Sequence, residues 1–153
     1  MAKSIRPLFP RLEVFEFLTE DDYPIIEKYM FTYQYQAGSV VFREGTHGAY
    51  MFFVIDGQAE VSKQYDNQRT VIAMLEEGRS LGEMSLIDGG SRSATVKAET
   101  DLTLIVLKRE DFNRLLEDHP KTANRIVIGI AKLLSVSLRE TTKRLTEKTL
   151  SLC

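Results

Sequence analysis

Apolar positions change their period twice along the chain. Leu8, Leu12, Phe15 and Leu18 recur near helical spacing, and Pro7 and Pro10 restrict a helix there to a start near Arg11. A second helix is predicted over Asp22–Phe31, with Pro24 in its first turn and Asp21 as N-cap. The aromatic-rich run Tyr29–Tyr35 reads as packing. From Gly38 onward the period shortens. Val40-Val41-Phe42 follows a turn, and Met51–Ile55 is a continuous apolar run suited to a buried strand ended by Gly57. Ala59, Val61 and Lys63 open an alternating strand, which Asp66-Asn67 turns into Val71–Leu75. Ala94–Ala98 and Leu102–Leu107 form a last strand pair joined across Glu99-Thr100-Asp101.

The C-terminal third returns to helical spacing. Asp111–Glu117 is a short helix stopped before Pro120, and Lys121–Lys148 holds no proline and one glycine, Gly129, so it reads as one long helix. Its apolar residues lie on more than one face, whereas packing on one domain needs one stripe. Val127, Ile130, Leu134, Ser137 and Thr141 follow heptad-like spacing and predict a homodimer seam. Burial against the N-terminal helix of the same chain is the alternative. The pattern predicts an α+β domain: a jelly-roll-like antiparallel β-sandwich with N-terminal helices, a short helix between strands and a long C-terminal helix. The boundaries are a helical segment at 8–31, a β-roll at 32–108 and C-terminal helices at 109–148, all in one domain spanning 1–153.

Composition adds exclusions. A chain of 153 residues with 43% hydrophobic content suits one core. A net charge of −2 leaves no basic footprint for nucleic acid. No apolar run approaches the roughly 20 residues of a membrane span, and no signal peptide is visible. Cys153 stands last and has neither an internal disulfide partner nor a base beside it, consistent with the cytoplasm. Residues 121–153 carry an excess of Lys and Arg, read as a solvated helix face whose positive end suits the helix dipole.

The candidate chemistry concentrates in Leu81–Val96, LGEMSLIDGGSRSATV. Gly82-Glu83 opens a short helical turn, and Arg92 follows a glycine-rich loop. An arginine fork suits a phosphate exposing two oxygens. A carboxylate accepts from a hydroxyl such as a ribose 2′-OH. Backbone N–H groups at a helix start can face an anion. A structural Glu83–Arg92 ion pair among turn glycines is the simpler alternative. A group that is both sugar and singly charged phosphate diester is a cyclic nucleotide.

The order Gly-Glu, apolar turn, glycine-rich loop, Arg-Ser-Ala-Thr resembles the phosphate-binding cassette of the cyclic nucleotide-binding domain family, found in catabolite activator-type regulators, kinase regulatory subunits and gated channels. The likeness extends from about Phe17 to the C-terminal helix. It implies a flattened β-roll and a set of roles. Glu83 would receive the ribose 2′-OH, with the Gly82 N–H near the same sugar. Arg92 would pair with the cyclic phosphate, which the N–H groups of Ser93 and Ala94 approach. Met84, Leu86 and Ile87 would anchor the turn to the core, and the Ser85 hydroxyl would be in reach of the phosphate. Ser137 matches the hydroxyl with which catabolite activator-type regulators contact adenine, although Leu138 departs from the polar residue often next to it. A hydroxyl at Ser93 is also compatible with guanine in the syn conformation; the resemblance favours cAMP over cGMP, and a cyclic dinucleotide stays open.

The function this implies is a non-enzymatic sensor that signals through an unidentified protein partner or through its oligomer. The alternative is an interaction scaffold that kept the fold without the ligand. Nothing in the sequence supplies a metal cluster: His47 and His119 are the only histidines and stand far apart. Asp21-Asp22 and Glu76-Glu77 read as solvated loop and cap residues.

Overall fold

The computed structural model describes residues 4–151; Cys153 lies outside them. Eight strands form two four-stranded sheets packed face to face. They are β1 Met30–Tyr35, β2 Val40–Phe42, β3 Tyr50–Asp56, β4 Ala59–Tyr65, β5 Gln68–Leu75, β6 Ser80–Leu81, β7 Thr95–Ala98 and β8 Leu102–Lys108. One sheet runs β1-β8-β3-β6, the other β2-β7-β4-β5, and their pairings are antiparallel. Between β6 and β7 sits α2, Glu83–Asp88. After β8 come α3, Arg109–Asp118, and α4, Pro120–Ser151. The Asp66-Asn67 turn has positive φ at both residues, the conformation that matches the twist of a two-residue hairpin.

The continuous apolar runs of β3 and β8 follow from burial on both faces. Phe52, Val54, Leu102, Leu104 and Val106 face the second sheet, meeting Ala59, Val61, Val96 and Ala98. Met51, Phe53, Ile105 and Leu107 face the other way, toward Phe9, Phe15, Ile26, Leu115, Ile126 and Ile130. The helices therefore cover one sheet only.

The N-terminal region departs from its pattern. Instead of a helix beginning near Arg11, two 3-10 turns occupy Arg6–Arg11 and Glu13–Phe15, because Pro10 within the first cannot donate to an α-helical ladder. The predicted helix over Asp22–Phe31 shrinks to α1, Tyr23–Ile26, and a 3-10 turn at Glu27–Tyr29. Met30–Tyr35 is instead a strand paired with β8, with Phe31 and Tyr33 exposed. Its aromatics at alternate positions, Phe31, Tyr33 and Tyr35, and the β-branched Thr32 favour the sheet. The predicted N-cap role of Asp21 is also lost, since Asp22 precedes α1 and its carboxylate turns inward.

Asp22 is buried rather than solvated. Its Oδ1 accepts from the Thr122 hydroxyl at 2.6 Å and from Arg125 Nη1 at 2.9 Å. Its Oδ2 accepts from the Thr19 N–H at 2.8 Å, the Thr19 hydroxyl at 3.0 Å and Arg125 Nη1 at 2.9 Å. Burial pushes this carboxyl up, but the hydrogen bonds from Thr122 and Thr19 and the Arg125 charge outweigh it and hold the group below its ordinary value. The cluster ties the N-terminal segment to α4.

On α4 the expected seam is partly consumed by this chain. Ile130 is 1% exposed in the domain's own core, and Val127 and Leu134 pack against it half-buried. Gly129 permits this approach: a Cβ there would stand 2.0 Å from the Val14 carbonyl oxygen. The free apolar residues of the helix are instead Ile128, Val136, Leu138, Leu145 and Leu150.

Candidate functional site

Two left-handed glycines bracket α2. Gly82 precedes it with φ +88° and Gly89 closes it with φ +67°. The Gly82 carbonyl accepts from the Leu86 N–H at 3.2 Å, and the Ser85 carbonyl from the Gly89 N–H at 2.9 Å. Only one face of so short a helix can enter the core. Ser85 and Leu86 occupy it, while Met84 and Ile87 are exposed, so the expected apolar anchor reduces to Leu86. The Ser85 hydroxyl donates to the Gly90 carbonyl at 3.4 Å, closing the glycine-rich loop on its own helix.

Arg92 is 4% exposed. Its N–H donates to the Thr46 carbonyl and its carbonyl accepts from the Gly45 N–H, each at 2.8 Å. Its guanidinium stacks on Phe42 at 4.0 Å and Tyr50 at 4.5 Å from the ring centroids, and Nη2 donates to the Tyr50 carbonyl at 2.7 Å. Nη1 is buried with no partner, and so is Oε2 of Glu83. The two side chains form no ion pair within 4.0 Å, which removes the structural-pair alternative. Burial pushes the Glu83 carboxyl up, a shift that its own backbone N–H and the Arg92 charge only partly counter. Burial likewise pushes the Arg92 guanidinium down, against opposing contributions from Tyr50 and Glu83.

Both orphaned groups line one small cavity, shared with Gly82, Met84, Ser85, Ser93 and Ala94. A Cβ on Gly82 would stand 2.5 Å from Arg92 Nη1, so glycine keeps this edge of the guanidinium open. A larger cleft of about 600 Å³ lies between the N-terminal segment and α4, but its walls hold none of the orphaned polar atoms. The chemistry therefore sits in the smaller cavity. An acceptor and a cationic donor, both desolvated and unpaired, fit a ligand that brings a hydroxyl and an anionic oxygen. Phe42 also lines the cavity, and neither it nor Tyr50 is recognisable from its sequence surroundings as a site residue. Ser137 is exposed on α4 and is not among the residues lining the cavity. No cluster of His, Cys, Asp or Glu among the described residues could hold a metal ion.

The model of the cyclic nucleotide-binding domain matches residues 32–119, more than half of the chain. The chain belongs to the cyclic nucleotide-binding domain family. It is 44% identical over 85 residues to the cAMP-dependent protein kinase regulatory subunit of Schizosaccharomyces pombe, covering 56% of this chain and 20% of that protein. It is 35% identical over 107 residues to the cyclic AMP receptor protein of Thermus thermophilus, covering 69% and 48% respectively. The structure of a cyclic nucleotide-binding domain from Methylobacillus flagellatus superposes with a TM-score of 0.83 at 26% identity, over 95% of this chain and 86% of that one. The chain spans less than half the length of these curated relatives. Among the described residues no helix is long and apolar enough to cross a membrane.

Proposed function

We propose that this domain is a sensor of a cyclic mononucleotide, cAMP in preference to cGMP, that acts without catalysis through a partner or its own oligomer. The observation that carries this reading is the pair of orphaned atoms, Glu83 Oε2 and Arg92 Nη1, on one cavity. A buried polar group without a partner costs about 1–3 kcal/mol, which a ligand satisfying both groups recovers. The cyclic phosphate is given to Arg92 and the backbone N–H groups of Ser93 and Ala94. The ribose 2′-OH is given to Glu83, beside the N–H of Gly82. Two relatives whose names carry cyclic AMP support the choice of base. A contact from Ser137 to the base requires α4 to approach the cavity, so Ser137→Ala tests it through the cAMP-to-cGMP affinity ratio.

The homodimer is retained with a different seam. Ile128, Ala131, Ser135, Leu138, Thr142 and Leu145 are exposed on α4 at alternating spacings of three and four residues, a coiled-coil pattern. Sedimentation at tens of micromolar should show a dimer that Leu138→Asp dissociates; a monomeric wild type removes the seam.

Calorimetry with cAMP, cGMP and a cyclic dinucleotide, followed by chromatography of the recovered nucleotide, tests the function. Tight binding of cAMP with the nucleotide unchanged is expected. No binding would favour the scaffold, and conversion of the nucleotide an enzyme.

A further inference from the structure

We infer that Phe42 and Tyr50 are positioning residues for the anion-binding arginine, a clamp of two aromatic rings set nearly at a right angle that presents Nη1 of Arg92 to the ligand phosphate. The inference rests on the assignment of Arg92 to the phosphate. Phe42 ends β2 and Tyr50 begins β3, so the two rings come from opposite sheets of the sandwich. They meet edge-on, with centroids 6.3 Å apart and planes at 78°. The guanidinium carbon lies 4.0 Å from the Phe42 centroid and 4.5 Å from the Tyr50 centroid. The planar cation can lie flat on one ring only, since the two planes stand at 78°; the other ring limits its tilt, and rotation within the plane remains free. The Tyr50 carbonyl removes that freedom by taking Nη2 at 2.7 Å. The edge that remains carries Nη1, which has no partner and faces the space kept clear by the missing side chain of Gly82.

The loop between these strands completes the holder. Thr46 and Gly45 bind the Arg92 backbone on both its N–H and its carbonyl, so the β2–β3 connection grips the main chain while its flanking aromatics grip the side chain. An arginine on a long flexible stem would otherwise lose rotamer freedom when the ligand binds. Here the two rings, the Tyr50 carbonyl and the backbone bonds to Gly45 and Thr46 hold the side chain without help from a ligand atom.

The test compares wild type with Phe42→Leu, Tyr50→Leu and Tyr50→Phe by cAMP titration and by nitrogen-detected NMR of the unliganded arginine side chains. Each leucine variant should bind cAMP about 10-fold more weakly, while Tyr50→Phe, which keeps the ring face and the carbonyl and loses only the hydroxyl that bears on Arg92, should lose less than either leucine variant. In an Arg92→Ala background, followed by displacement of a fluorescent cAMP analogue, the leucine changes should cost nothing further, because the group they position is gone. Unliganded wild type should show an Arg92 Nε–H signal displaced by ring currents and slow rotation about the Cζ–N bonds; both leucine variants should lose these. Leucine variants that bind like wild type with an unchanged Arg92 signal would overturn the clamp, as would full additivity with Arg92→Ala. If wild type binds no cyclic nucleotide, the phosphate assignment falls and the clamp's role in binding falls with it. The NMR signature would then report the clamp geometry alone.

Discussion

Among the described residues, two buried charge sites are built in opposite ways. At the junction of the N-terminal segment with α4, both Asp22 oxygens are satisfied by Thr19, Thr122 and Arg125. At the cassette Arg92 is buried and Glu83 half-buried with its Oε2 hidden, yet each keeps a buried atom unpaired and they do not pair with each other. The first arrangement holds its carboxyl below the ordinary value; in the second, burial prevails and the Glu83 carboxyl rises. A buried charge that serves the fold is satisfied by the fold. An incomplete one on a cavity is the arrangement expected of a group reserved for a ligand, as proposed for Glu83 and Arg92.

The contrast can be broken most severely at Arg92. Arg92→Ala should lower cyclic nucleotide affinity by about 2–5 kcal/mol, roughly 30- to several-thousand-fold, while circular dichroism and melting stay close to wild type. A variant that titrates like wild type would remove Arg92 from the phosphate. Asp22→Ala should do the reverse. It strands the Thr122 hydroxyl and the Thr19 N–H, while the half-exposed Arg125 can turn to water, so about 1–3 kcal/mol of stability should be lost with little change in affinity per folded molecule. Denaturant unfolding beside calorimetry separates the two effects.

Gly82→Ala probes the opening between them. The added Cβ is strained at φ +88° by about 1–2 kcal/mol and would displace Arg92 Nη1, so both stability and affinity should fall. A variant with unchanged affinity would mean that this edge of the guanidinium does not meet the ligand. The smallest effect belongs to Glu83→Gln. Its amide oxygen still accepts from a hydroxyl, so affinity should fall by about 0.5–1.5 kcal/mol. 2′-Deoxy-cAMP should bind wild type more weakly than cAMP does, and that gap should shrink in the variant; an equal gap in both removes Glu83 from the ribose.

Acid sharpens the same contrast. The stability owed to Asp22 is complete above the unfolded carboxyl value of about 3.9 and is lost as pH falls through its lowered folded value. Asp22→Asn should therefore flatten acid unfolding in that window. Glu83 takes up its proton at a higher pH than an ordinary glutamate, so affinity that depends on its carboxylate should decline first. An affinity as pH-dependent in Glu83→Gln as in wild type would assign that decline to another group.

The cassette was legible because its polar groups lie within one short segment. Glycines, glutamate and arginine fall at fixed offsets between Gly82 and Ala94, and local chemistry names the ligand class they suit. The buried strands β3 and β8 were legible for a similar reason: each carries its burial in a run of apolar residues. The start of β1 was hidden because Met30 and Phe31 also continue a helical pattern, and only pairing with β8 decides against it. Asp22 looked like a solvated loop residue, since its partners Thr122 and Arg125 stand about a hundred positions away.

Sequence alone determined the two-layer β-roll, the short helix with its glycine caps, the long terminal helix and the residues, Glu83 and Arg92, that meet at one cavity. These depend on period, on left-handed turns and on neighbours along the chain, all of which are local. Tertiary structure decided which face of α4 stays free, through the close approach of Gly129 to Val14. It also decided that Asp22 is a structural charge, and that Phe42 and Tyr50 hold Arg92 from two different sheets. Those facts depend on which distant surfaces exclude water from one another, and no local pattern records that.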